Sequence, residues 1–109
     1  MRSEAGQLRH RGTVERNQGV QNTTGEVVPD WVAVYASVPA AVEPLRGREF
    51  YAARQFNAEV THRIILRKES RVVRARDRFV VNGRIFDIDS VRDLEERGAW
   101  LELICTEKA

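Results

Sequence analysis

Hydrophobic and polar residues alternate with a period of two along most of this chain, and only one short segment departs toward a helical period. Leu8, His10, Gly12 and Val14 alternate with Arg9, Arg11, Thr13 and Glu15, which predicts a first strand with one solvated face. Val32, Val34, Ala36 and Val38 set the inner face of a second strand, with Trp31, Ala33, Tyr35 and Ser37 on the other face. Pro39 has no N–H for a ladder, so this strand must end, bulge or run along an edge there. Val60, His62, Ile64 and Leu66 alternate with Glu59, Thr61, Arg63, Ile65 and Arg67 in a third. Phe79-Val80-Val81 and Ile85-Phe86-Asp87-Ile88 flank Asn82-Gly83, a strong hairpin signal because a type I′ turn needs φ > 0 at both central residues. That register places Phe79 opposite Phe86 as a core pair. After a polar turn over Asp93 to Gly98, Ala99, Leu101, Leu103 and Cys105 form the inner face of a last strand.

Two segments interrupt the alternation. Residues 17–30 are polar and rich in turn formers, a loop of about 14 residues and long enough to suggest a function or disorder. Leu45 to Gln55 is the one stretch that fits a helix, with Glu49/Ala53 and Phe50/Arg54 as i,i+4 pairs and Ala52-Ala53 favouring the conformation. It is too short to persist unaided. Six or so strands without a βαβ rhythm predict a mainly β fold: a small antiparallel β-barrel or sandwich with one short helix and two long loops. At 109 residues this is one domain spanning residues 1–109. No apolar stretch approaches the roughly 20 residues that span a bilayer, and none follows Arg2, so neither a membrane helix nor a secretory signal is expected.

Charge changes the picture through its distribution. The net value is only +2, yet residues 63–84 carry eight cations against Glu69 and Asp77, and residues 85–109 carry three against seven carboxylates. A basic band is therefore followed by an acidic end. All but Lys68 and Lys108 of the 18 cations are arginine, the residue suited to planar, bidentate contacts with carboxylates.

Little in the chain points to catalysis. Ser3, Ser37, Ser70 and Ser90 sit in no nucleophile motif, Cys105 falls on an inward face as core filler, and His62 alternates with inward residues as a structural histidine. Asp87 and Asp89, two apart on one strand, fit a solvated face or partners for the arginine-rich hairpin arm better than a cation site. One cysteine and two histidines leave nothing for a thiolate or zinc centre. No enzyme activity and no cofactor is expected. A sequence-independent single-stranded nucleic-acid-binding barrel fits the basic band, but residues 63–78 contain no aromatic on which bases could stack.

Leu8-Arg9-His10-Arg11, Trp31, Pro44-Leu45-Arg46-Gly47-Arg48-Glu49-Phe50 and Asn57-Ala58-Glu59-Val60-Thr61-His62-Arg63-Ile64 together resemble the head-tail joining (head-closure, or stopper) proteins of long-tailed bacteriophages and related prophage or gene-transfer particles. The Phe79 to Ile88 hairpin with Asp87-Ile88-Asp89-Ser90-Val91 fits the same family, and the likeness runs from Leu8 to Cys105. The resemblance implies a β-barrel in a six- or twelve-fold ring under the portal and its adaptor. That ring seals the DNA-filled head and docks the tail, through tail-terminator or tail-tube proteins, with double-stranded DNA passing the channel without sequence readout. It also implies a virion component made in the bacterial cytoplasm, with no membrane partner. A tail-terminator or adaptor-type subunit of the same machine is the alternative.

In relatives an extended loop projects toward the channel, and the matching segment here is about Glu43 to Asn57, where the residues themselves favour a short helix. Arg46, Arg48, Glu49, Phe50 and Tyr51 are the channel-facing candidates; Phe50 and Tyr51 are equally suited to packing a short helix on the core. Ring or neighbour contacts are expected from Asn22, Thr23, Thr24, Trp31, Arg63, Arg67, Arg74, Arg76, Asp93, Glu95 and Glu96. The run Arg67 to Arg78 departs from the family in holding arginine where more Pro, Gly and Asp is usual. Both excursions are expected to be mobile in the free subunit and to order against neighbouring rings, since ordering each residue costs on the order of 1–2 kcal/mol without contacts to offset it.

Overall fold

Strands that can bury only one face must bring those faces together, and here the sheet does so by curling onto itself. A computed structural model describes residues 8–47, 51, 52, 55 and 59–108, with Glu95 by its backbone alone. The strands are β1 (His10–Asn17), β2 (Val20–Gln21), β3 (Val27–Val28), β4 (Trp31–Pro44), β5 (His62–Arg67), β6 (Arg78–Val81), β7 (Arg84–Asp93) and β8 (Trp100–Glu107). Six of them close into an antiparallel barrel in the order β1-β4-β5-β8-β7-β6, while β2 and β3 form a separate two-stranded sheet. The barrel closes where β6 returns to β1, with Thr13 opposite Val80, Val14 opposite Phe79 and Glu15 opposite Arg78. That single pairing decides between barrel and sandwich.

The core lies inside this cylinder. Val14, Val38, Ala40, Ile64, Leu66, Phe79, Phe86, Leu103 and Cys105 are fully buried there. Phe79 faces Phe86 across the hairpin as the Asn-Gly turn requires, and Asn82 and Gly83 both take positive φ, 50° and 76°. Burial of Cys105 pushes its thiol pKa far up, so it is core material and not a nucleophile. A second, smaller cluster covers the outside of the barrel, where Ile65, Ala41 and Leu94 are buried beneath Leu8 and Trp100.

Two expectations are corrected. Ala36 is exposed, because Ser37 at φ 55° bulges β4: Gly12 faces Val38, but Val14 faces Tyr35 and Glu15 faces Ala33. The slipped phase turns Tyr35 toward the core, beside Val34, which packs there as expected. At Pro39 the edge alternative holds: the strand runs on to Pro44, and β5 begins to pair only at Ala40, so Pro39 sits where that side of β4 has no ladder to feed. Ala99 is exposed because the last strand starts one residue later, at Trp100.

The 17–30 segment is also not an irregular loop. Val20 faces Val28 and Gln21 faces Val27, making a small β-arm that prolongs the β1–β4 hairpin beyond its last pair, Asn17 with Trp31. Two asparagine side chains shape it. Asn17 Oδ1 accepts from the N–H groups of Gly19 and Asp30 (both 2.9 Å), and Asn22 Oδ1 accepts from those of Thr24 and Glu26 (both 3.0 Å). In the second excursion Tyr51 and Ala52 are helical, with the Gln55 N–H donating to the Tyr51 carbonyl at 3.2 Å. Leu45 and Arg46 do not join the expected helix, since Leu45 N–H instead donates to the Thr61 carbonyl, and residues 48–50 and 53–54 lie outside the described residues.

Candidate functional site

The 46–59 excursion leaves and re-enters the barrel at neighbouring points. Glu43 faces Arg63 and Pro44 faces His62 across β4 and β5, so the two ends of the excursion start one ladder step apart. Leu45 N–H then donates to the Thr61 carbonyl (3.0 Å), and Thr61 N–H to the Cys105 carbonyl (2.9 Å). Leu45 and Val60 are both buried, which gives the junction an apolar clamp. Arg63 locks it from outside, with Nε 3.1 Å from Glu43 and Nη1 3.1 Å from Glu102; Arg92 reaches the other Glu102 oxygen at 2.7 Å. Glu102 is almost fully buried, and two guanidiniums balance its charge there.

Beside this junction His62 shares a hydrogen bond with Thr61 Oγ1 (2.8 Å), sets its ring edge-on to Phe86 (centroids 5.1 Å apart) and stands 4.0 Å from Glu107. Desolvation lowers its pKa, outweighing the pull of the Glu107 carboxylate. Glu107 takes two hydrogen bonds from Arg84, at 2.8 and 3.0 Å, and these hold its own pKa below the usual carboxylate range. This is a satisfied structural cluster, as expected for His62.

The opposite feature is the root of the β-arm. Arg78 stacks its guanidinium over Trp31 (4.1 Å to the ring centroid) and donates to Glu15 at 2.7 Å. Next to it Arg16 grips Asp77 bidentately, at 3.0 and 2.9 Å, and also donates to the Val72 carbonyl at 2.9 Å. Asp77, only 3% exposed, further accepts from the Arg74 N–H, while the Tyr35 hydroxyl accepts from the Val72 N–H. The 68–77 loop is thus bound to β1 and β4 at the base of the arm. Sequence reasoning missed both the arm and this Asp77 anchor. The turn formers Asn17, Gly19, Asn22 and Gly25 bracketing Val20 and Val27-Val28 were the available signal for the arm; nothing local marks Asp77.

The candidate residues are scattered over these features. Arg46 is exposed and Tyr51 is 72% exposed on the excursion; Arg48, Glu49 and Phe50 lie outside the described residues. Asn22, Thr23 and Thr24 form the exposed tip of the arm, and Trp31 lies at its root under Arg78. Arg63 is committed to Glu43 and Glu102 of its own chain, and Arg67 stacks over Trp100 at 4.7 Å. Asp93 pairs with Lys68 (3.4 Å) and accepts from the Gly98 N–H; Glu95 and Glu96 sit in a single 3-10 turn, with Glu96 exposed. Arg74 and Arg76 are exposed in the loop. Much of the basic band is therefore spent on the acidic end of the same subunit, through Arg63, Lys68 and Arg84.

Among the described residues no group of three or more His, Cys, Asp or Glu is placed to hold a metal ion, and no helix is long and apolar enough to cross a membrane. Trp31 and Trp100 are each covered by an arginine, and Phe79 and Phe86 are buried, so these rings present no stacking platform for bases.

The fold recurs in solved structures. The solution structure of protein SF1141 from Shigella flexneri 2a superposes with a TM-score of 0.70 at 25% identity, covering 98% of each chain. A chain of the virion of a native gene transfer agent particle superposes with a TM-score of 0.60 at 22% identity, covering 89% of this chain and 92% of that one. No curated protein matches the chain in sequence. The model of a phage protein family, however, matches residues 4–108, nearly the whole barrel with its arm and excursion, and on that match the chain belongs to the phage head completion protein family.

Proposed function

We propose that the protein is a connector subunit of a phage-like particle, assembled as a six- or twelve-fold ring that closes the DNA-filled head and docks the tail. Its partners are further copies of itself, the portal or adaptor ring on the head side, and tail-terminator or tail-tube proteins on the tail side. Double-stranded DNA passes through the channel without base readout. Membership of the head completion family supports the location, as does a shared fold with a chain of a gene transfer agent virion. Near-neutral net charge suits a conduit, since a strongly cationic lining would gain counterion-release energy at each phosphate and retain DNA.

The observation that carries the reading is the way the 46–59 excursion hangs from the barrel. Its ends are held on the barrel by Leu45, Val60, Thr61 and the Glu43–Arg63 pair, which sets both ends of the segment beside each other at one point of the barrel. Arg46, Arg48, Glu49, Phe50 and Tyr51 occupy that segment and are assigned the channel-closing role. Neighbour contacts are assigned to the arm tip, Trp31, Arg63, Arg67, Arg74, Arg76, Asp93, Glu95 and Glu96.

Replacing residues 46–55 with a short Gly-Ser linker tests this. Because Pro44 and His62 already face each other, the shortened chain should fold with an unchanged β-sheet spectrum and join particles that then lose their DNA. Particles of this variant that retain their genome and infect normally would show that the segment is no plug.

A further inference from the structure

Four large hydrophobic side chains stand exposed among the described residues, and three of them lie on just two elements. Val20 (46%) and Val27 (70%) are on the β-arm, and Val72 (55%) is on the 68–77 loop. An isolated two-stranded hairpin is marginal in water, and β2 and β3 pair only with each other, which leaves their outer backbone edges without a ladder. The arm is thus built like an element meant to be covered.

The charges around these valines are opposite in sign. Residues 17–30 carry Glu26 and Asp30 and no cation. The loop carries Lys68, Arg71, Arg74 and Arg76 against Glu69 and Asp77; Lys68 pairs with Asp93, Glu69 with Arg71, and Asp77 with Arg16. Arg71 is turned back onto the Arg67 carbonyl and Glu69, whereas Arg74 and Arg76 extend to solvent with no side-chain partner among the described residues. An apolar centre with a charged rim is the anatomy of a protein interface, and the two rims match each other. Within one subunit, among the described residues, no hydrogen bond or ion pair joins residues 18–30 to the loop, although both start beside Arg16 and Trp31. Each chain therefore carries both halves of one contact, unjoined.

We propose that the β-arm of one subunit docks on the 68–77 loop of a second copy of this chain through the face that carries Val27, which the register sets opposite to that of Val20, with Val27 against Val72 and Glu26 and Asp30 against Arg74 and Arg76. Arm and loop are different surfaces, so the contact is head-to-tail and passes from subunit to subunit; its closure into a ring rests on the function proposed above.

The test uses two variants of the full chain, one with Glu26→Arg and Asp30→Arg, the other with Arg74→Glu and Arg76→Glu. All four side chains are exposed, so both should fold, which thermal melts followed by circular dichroism verify. In sedimentation at about 50 mM salt the unaltered chain should self-associate, and about 500 mM salt should weaken this. Each variant alone should lose association by about tenfold or more, because like charges then face each other. An equal mixture of the two should regain it, since every arm again meets a loop of opposite sign, and so should a chain bearing all four changes. Variants that associate like the unaltered chain, or an unaltered chain that stays monomeric, would overturn the docking. Electron images of the particle separate this from the ring itself: rings built from non-docking variants keep the ring and discard the arm contact, and a single copy at the junction discards both.

Discussion

Gly12 offers a sharp test of how tightly the barrel is packed. A Cβ at this position would lie 2.4 Å from Cε2 and Cζ of Phe79 and 2.8 Å from the Val80 carbonyl oxygen. Carbon atoms in contact prefer about 3.5–4.0 Å, so Gly12→Ala demands a shift of about 1 Å or more. Phe79 is fully buried opposite Phe86 and has no free volume to enter, and Val80 is held in the β1–β6 ladder that closes the barrel. Gly12 does not need its conformational freedom, since its φ is not in the left-handed region. On backbone entropy alone, then, alanine would stabilise by about 0.4–1 kcal/mol. Overpacking costs about 1–3 kcal/mol and overrides that gain, so the net expectation is a loss of about 1–2 kcal/mol. For a domain of this size the loss corresponds to a fall in Tm of about 5–10 °C. Urea denaturation followed by circular dichroism measures it. Adding Phe79→Leu should recover part of the loss, so that the double variant is more stable than the sum of the two single changes. A Gly12→Ala protein as stable as the parent, or strict additivity with Phe79→Leu, would refute the packing argument.

Two further outcomes are expected. Asp77→Ala removes three hydrogen bonds and strands the Arg16 guanidinium; a broken buried pair costs about 3–5 kcal/mol, and the partial exposure of Arg16 places this one at about 3 kcal/mol or below, measurable by denaturant titration. Hydrogen exchange in that variant should quicken at the Val72 and Arg74 amides, and unchanged exchange there would show that Asp77 does not anchor the loop. Stability should be level above about pH 6.5 and decline on acidification, because the folded chain resists protonating His62 where the unfolded chain accepts the proton. A second decline should follow below about pH 4.5, where Glu107, held ionised by Arg84, is forced to protonate. His62→Gln should flatten the first phase and leave the second, and a first phase that persists unchanged in thermal melts would locate it elsewhere.

The strands were legible because alternation is a local property: a residue's face follows from the parity of its position, and Phe79 opposite Phe86 follows from two turn residues between them. Family membership was legible for the same reason, through short runs such as Pro44 to Phe50 and Asn57 to Ile64. Parity fails where one residue is inserted. The positive φ of Ser37 flips Ala36 outward, and no neighbouring residue announces that bulge, because it is set by how β1 and β4 must bend to close the barrel. Closure itself, β6 beside β1, joins residues more than sixty positions apart and depends on the shared core, not on either strand alone.

The same distinction applies to charge. A basic band and an acidic end were visible along the chain, but only folding decides which charges meet. Arg63, Lys68 and Arg84 find Glu102, Asp93 and Glu107 across neighbouring strands and are spent there, and Arg16 reaches 61 positions to Asp77. Arg74, Arg76, Glu26 and Asp30 stay exposed on loop and arm. Sequence by itself determined the residues that alternate and the family they belong to. The tertiary structure alone decided which excess charge and which valines stay available to a neighbour, since pairing depends on distances that the fold creates.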